Sequence, residues 1–210
     1  MTLNPARLLI LAAVVAAGLA GTAAAAHAST TINFDDGTGG NPVDSSYSAL
    51  GVIFSGATFT GNFGLPGSSG SLGIYSTVRG YQFGPDTPIL GQFTSAVSSV
   101  TIRGIDAGQA GIALDAYDAA DALLGYAEFF GAGAGVGTFH DLTVSAPGIA
   151  GFRVYQPLTT NGFNGFGDGL VFDDLSFVQA TAVPEPASWA LMLAGIAGIA
   201  AAWRRRPSAA

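Results

Sequence analysis

Glycine is concentrated in the middle of this chain, where 27 of its 31 glycines fall between residues 29 and 182. Each glycine inside a helix costs about 1 kcal/mol relative to alanine, so long helices are disfavoured throughout that stretch. The glycines do not mark a fixed repeat. They punctuate short segments rich in β-branched, aromatic and aliphatic residues, which is the pattern of strands joined by turns rather than of a disordered linker.

Strands are expected near residues 31–35, 52–54, 58–60, 72–75, 89–93, 98–105, 112–117, 123–130, 138–144, 151–155 and 170–178. Period-two alternation carries several of them: in Val100-Thr101-Ile102-Arg103, Ile112-Ala113-Leu114-Asp115-Ala116-Tyr117 and Phe152-Arg153-Val154-Tyr155, one face is apolar and the other polar or amphipathic. Turn signals separate the segments at 62–64, Pro66-Gly67, Gly84-Pro85-Asp86, 119–121 and Pro147-Gly148. Residues 116–124 have helical propensity, but Asp118 to Asp121 read better as the turn of a hairpin. The expected fold is all-β, an antiparallel β-sandwich.

This body holds thirteen acidic residues against three arginines (Arg79, Arg103, Arg153) and no lysine. Such a surface repels a phosphate backbone and argues against nucleic-acid binding, while leaving cations and neutral polysaccharides as partners. The chain has no cysteine, so a core, helped by a metal if one binds, must stabilise it.

Both ends differ from the body. Arg7 precedes an apolar stretch over 8–26, and Ala26-His27-Ala28 offers the small residues that signal peptidase reads. Residues 1–28 are therefore expected to be a secretory signal helix cleaved before Ser29, with an uncleaved anchor as the alternative. At the other end, residues 187–203 carry no charge and would extend about 25 Å as a helix, the short end of what crosses a bilayer. Trp189 and Trp203 bracket this stretch, and Arg204, Arg205 and Arg206 follow it directly, as interface anchors and a positive-inside stop would. A single transmembrane helix over 187–203 is expected, and a buried core helix is the alternative. The chain thus divides into 1–28, a body over 29–182, and a tail over 183–210.

Val183-Pro184-Glu185-Pro186, one hydrophobic span and a terminal arginine cluster, in that order, resemble the PEP-CTERM sorting signal of Gram-negative bacteria. The resemblance assigns Pro184, Glu185 and Pro186 to the sorting motif and Arg204–Arg206 to the stop. It implies recognition by exosortase, a transient inner-membrane anchor, and release to the cell surface or an extracellular matrix associated with exopolysaccharide. It covers under a sixth of the chain. The segments around Asp35, Asp115 and Asp173 are similar to those of many such proteins, whose bodies resemble jelly-roll sandwiches of the carbohydrate-binding-module type.

Asp35/Asp36 and Asp173/Asp174 lie on the first and last expected strands. If those strands are neighbours, four carboxylates converge, with Asn33 as a further oxygen donor, and such a set suits a structural Ca²⁺. The broken alternation at 171–175 suggests a bulge that turns one aspartate inward. The alternative is that these are ordinary strand-end and turn aspartates. Phe163 and Phe166, in a glycine-rich loop over 161–169, are candidate sugar-stacking rings together with Tyr155, and Tyr47, Tyr75 and Tyr81 could add to them; alternatively the two phenylalanines fold back onto the sandwich edge. His140 beside Asp141 and the body's one glutamate, Glu128, complete no recognisable catalytic set. The expected function is that of an exported, non-enzymatic surface or matrix protein, with a carbohydrate-binding module as the runner-up and a polysaccharide hydrolase as the third reading.

Overall fold

The computed structural model describes residues 29–62, 64–76, 87–133, 135–158, 170–180 and 195. The signal segment 1–28, the loop carrying Phe163 and Phe166, the sorting motif, the 187–203 span apart from Gly195, and the arginine cluster lie outside these residues.

Among the described residues there are nine strands: β1 (Ser29–Ile32), β2 (Val52–Ser55), β3 (Ala57–Gly61), β4 (Leu72–Ser76), β5 (Ile89–Ile105), β6 (Ile112–Tyr117), β7 (Leu123–Phe129), β8 (Phe139–Tyr155) and β9 (Val171–Gln179). Their order is β3-β4-β9-β5-β8-β6-β7, with β1 also beside β9 and β2 also beside β5. Every pairing is antiparallel. Between residues 29 and 180 the described residues form one 3-10 turn at Ser48–Leu50 and no α-helix. The all-β expectation holds.

Eleven expected strands become nine because β5 and β8 each run through a predicted break. Between Gln92 and Ser99 the β5–β8 ladder shifts register, and it resumes with Ser99 opposite Ser145. Pro147-Gly148 is therefore not a chain reversal. Pro147 lacks an N–H for the ladder, and Gly148 takes φ 82°, so β8 bends at this point and continues. The bend divides both strands between two layers. The first half of β5 pairs with β2 and the second half of β8, which in turn pairs with β6, and β6 with β7. The second half of β5 pairs with β9 and the first half of β8, while β9 is flanked by β1 and β4 on its far side.

The two layers close face to face as a β-sandwich. Phe93 of β5 meets Phe177 of β9 with ring centroids 4.9 Å apart, and Phe129 of β7 stacks on His140 of β8 at 4.2 Å. Phe34, Tyr47, Phe54, Phe59, Phe93, Phe152 and Phe177 form a continuous run of aromatic contacts through the buried core, and such pairs add about 0.5–1.5 kcal/mol each beyond the area they bury. β1 stops at Ile32, short of the expected residue 35. Fully buried Phe34 takes φ 61°, a conformation costly for a bulky residue, and is held there by edge-to-face contacts with Tyr47 and Phe54. That reversal turns Asp35 and Asp36 off the strand.

Candidate functional site

On β6 and β8, alternation sends Leu114, Ala116, Phe152 and Val154 into the core. The residues between them, Asp115, Tyr117, Arg153 and Tyr155, therefore share the opposite face. Register then sets them side by side: Asp115 pairs with Arg153, Ala113 with Tyr155, and Tyr117 with Gly151. On the same face β5 brings Leu90 opposite Arg153 and Gln92 opposite Gly151, and β2 brings Ile53 opposite Gln92.

Asp115 is only 5% exposed although it points away from the core, because its neighbours cover it. Arg153 Nε donates to Asp115 Oδ2 at 2.7 Å, and Arg153 Nη2 lies 2.7 Å from the same oxygen. The Tyr117 and Tyr155 hydroxyls donate to it at 3.0 and 3.3 Å. The guanidinium in turn lies over both rings, 5.4 Å from the Tyr117 centroid and 5.1 Å from that of Tyr155, within the range of cation–π attraction. Charge is balanced inside the cluster. Burial, reinforced by the hydrogen bond to Asp115, pushes the Tyr117 phenol up to about 12. Burial and the Asp115 charge also raise Tyr155, so both hydroxyls remain neutral donors.

Beside this cluster lies a cleft of about 450 Å³ lined by Ile53, Leu90, Gln92, Tyr117, Asp121 and Arg153, among others. Gly151, with no side chain, leaves room opposite Tyr117, and a Cβ there would come within 3.1 Å of the Gly91 carbonyl oxygen. Asp118, at the same cleft, accepts the Ala120 and Ala122 N–H groups at 2.8 and 2.9 Å and shapes the expected β6–β7 hairpin turn. Apolar and ring surfaces with a few convergent polar groups suit a ligand that has both apolar faces and hydroxyls.

Asp35 and Asp173 accept from the same short segment, 69–72, whereas Asp36 and Asp174 turn to other partners. Asp35 Oδ1 accepts the Ser71 and Leu72 N–H groups at 2.7 and 3.0 Å, and Asn33 Nδ2 donates to Oδ2 at 3.0 Å. Asp173 is fully buried and accepts Ser69 N–H at 3.0 Å and Ser69 Oγ at 3.2 Å. Its burial raises its pKa, against the opposing hydrogen bonds from Ser69 and Asp174. Asp174, at φ 45° on a register shift of β9, binds Arg103 Nη1 at 2.6 Å, and Arg103 also grips Asp141. Asp36 takes a short hydrogen bond from the Tyr47 hydroxyl. Among the described residues no three acidic or histidine side chains come together as a metal-binding group.

Of the aromatic candidates, Tyr155 sits in the cleft-side cluster, whereas Tyr47 is core and Tyr75 packs partly against it. Tyr81, Phe163 and Phe166 fall outside the described residues. His140 is occupied by its stack on Phe129, and Glu128 is exposed on β7. Sequence reading missed Tyr117, Asp115 and Arg153 as partners of Tyr155. The signal was the pair of i, i+2 dyads, Asp115/Tyr117 and Arg153/Tyr155; only register could show that they face one another.

Residues 182–206 match the PEP-CTERM protein-sorting motif. That motif implies exosortase-mediated processing and export through a membrane-anchored state to the cell surface. No curated protein matches the sequence. Among solved structures, the K2 cleaved adhesin domain of Lys-gingipain is similar at 13% identity, over 73% of this chain and 99% of that one, with TM-score 0.46. The C-terminal CBM6 of LamC, a laminarinase of Zobellia galactanivorans, is 12% identical over 72% of this chain and 100% of that one, with TM-score 0.36. CsCBM6-3 from Clostridium stercorarium, solved with cellobiose, is 16% identical over 71% and 88%, with TM-score 0.30.

Proposed function

We propose that this protein is an exported, non-enzymatic component of a bacterial surface or extracellular matrix that binds neutral exopolysaccharide through the face formed by Tyr117, Arg153 and Tyr155. The observation that carries this reading is the cluster itself: two tyrosine rings clasp a guanidinium whose charge Asp115 already balances, beside an open, largely apolar cleft. Sugar C–H faces pack on such surfaces, and hydroxyls find Gln92, Asp121 and the outer N–H groups of Arg153. A uronate would meet an acidic body and an arginine already paired, so the favoured ligand is uncharged.

The sorting motif supports the address. In this reading residues 1–28 are a cleaved signal, 29–182 a jelly-roll-like sandwich, and 187–203 a transient membrane anchor behind the Pro184–Pro186 recognition element, in a Gram-negative cell. The commitment of Asp115 to Arg153 and of Asp118 to its own turn argues against a pair of free catalytic carboxylates at this cleft.

Affinity electrophoresis of the full-length, detergent-solubilised protein tests the reading. Mobility should fall in gels containing a soluble neutral glucan and not in gels containing alginate. Tyr155→Ala should weaken glucan binding about tenfold, a loss of ~1.4 kcal/mol, with the circular dichroism spectrum unchanged. Equal mobility in every neutral polysaccharide gel would overturn it.

A further inference from the structure

The first layer has two edges, and the chain treats them differently. On the β2 edge, Phe54 N–H donates to the Asp44 carbonyl at 2.8 Å and Val52 N–H to the Tyr47 carbonyl at 3.3 Å. In the second layer, β3 is similarly covered, since Gly40 N–H donates to the Phe59 carbonyl, Phe59 N–H to that of Asn41, and Val43 N–H to that of Ala57. β7 is different. Among the described residues its one hydrogen-bonded neighbour is β6, and none of its backbone groups bonds to a loop.

An open strand edge is normally blunted by lysine, proline or inward charge. Leu123-Leu124-Gly125-Tyr126-Ala127-Glu128-Phe129 has neither lysine nor proline and a single charge. Its outward side chains are well exposed, with Leu123 at 55% and Tyr126 at 66% and Phe130 just beyond, and Glu128 is the one charge among them.

We infer that β7 is a self-association edge at which two copies of this chain pair antiparallel about Tyr126. The sequence of the strand selects this partner and direction. A two-fold through Tyr126 sets Leu124 against Glu128, Gly125 against Ala127 and Leu123 against Phe129, so each carboxylate faces an aliphatic side chain. An in-register parallel pairing would oppose Glu128 to Glu128, which is destabilising. The antiparallel contact is isologous and closes at two copies. It joins the first layers into one continuous sheet and presents both Arg153 clefts on the same side. The acidic bodies repel at long range, and salt shortens that repulsion to ~10 Å at 0.1 M, so association strengthens with ionic strength.

The chain has no native cysteine, which makes cross-linking a direct test. Residues opposed in antiparallel strands have Cα atoms about 4.5–5.5 Å apart, within disulfide reach. Full-length Tyr126→Cys in detergent micelles, under mild oxidation, should form a covalent dimer about tenfold faster than Ser55→Cys, because a paired edge holds the thiols at millimolar effective concentration. Ser55 is exposed on β2, whose edge is covered by loop carbonyls, so this control carries the same terminal segments and an exposed thiol without an open edge. The Tyr126→Cys rate should rise with added salt. In sedimentation velocity, Tyr126→Lys, which opposes two like charges, should be monomeric at concentrations where the wild type dimerises. Equal cross-linking of the two cysteine variants, or a Tyr126→Lys dimer as strong as the wild type, would overturn the inference.

Discussion

Replacing Arg153 by alanine leaves Asp115 with two phenol hydroxyls and no cation, at a position only 5% exposed. Breaking a fully buried ion pair from one side costs about 3–5 kcal/mol. The Arg153 side chain is 37% exposed, so water screens the pair from one side, and about 2–3 kcal/mol is the expected loss. For a domain of this size that lowers the melting temperature by about 4–12 °C. Asp115→Ala should cost less, since the freed guanidinium can still reach water and both rings. The informative variant is the double one. Once Arg153 is gone, removing Asp115 also removes the orphaned charge, so Asp115→Ala/Arg153→Ala should fall short of the summed single losses by about 1–2 kcal/mol. Thermal and urea unfolding of the four proteins supply the cycle. Single-variant losses that add to within ~0.5 kcal/mol would mean that Asp115 and Arg153 act independently, and the reasoning about a balanced, mutually covered cluster would fail.

The Tyr117 phenol, raised to about 12 by burial and by Asp115, binds its proton more tightly folded than unfolded; its contribution to stability is therefore complete below about 10, the unfolded value, and is lost as pH rises through about 12. Absorbance titration at the phenolate band should show one late-ionising tyrosine fewer in Tyr117→Phe than in the wild type, and an unchanged curve would refute the assignment. Asp173 has a raised pKa because it is buried, so its contribution is present below its unfolded value of about 4 and declines as pH rises through the folded value. Relative to the wild type, Asp173→Asn should gain stability between acid pH and neutrality, and a difference in melting temperature that stays flat with pH would contradict this.

Strand identity was legible because it rests on alternation and glycine punctuation, both local. β6 runs over the expected 112–117, and Asp118 forms the anticipated turn. Continuity across Pro147-Gly148 was not legible. A Pro-Gly dipeptide ordinarily reverses a chain, and only the opposing strand, resuming its ladder at Ser99–Ser145, decides for a bend. The bulge at Asp173–Asp174 could be anticipated from broken alternation, and Asp173 is indeed buried. The non-local donors that meet Asp35 and Asp173 come from 69–72, a distant segment whose approach no local pattern announces. The same holds for the cluster around Arg153. Its members are visible as dyads, but their meeting depends on a register set by the whole sheet.

The antiparallel union of β1 with β9 places Ser29 opposite Val178. The first residue of the body and one of its last are therefore neighbours at one end of the sandwich. Whatever joins the body to a membrane, before Ser29 or beyond residue 180, leaves from the same small patch. A cut on either side then removes a leash without pulling on the rest of the molecule. Under the proposed reading, a signal cut before Ser29 and a sorting cut beyond residue 180 both fall at the same end of the folded body.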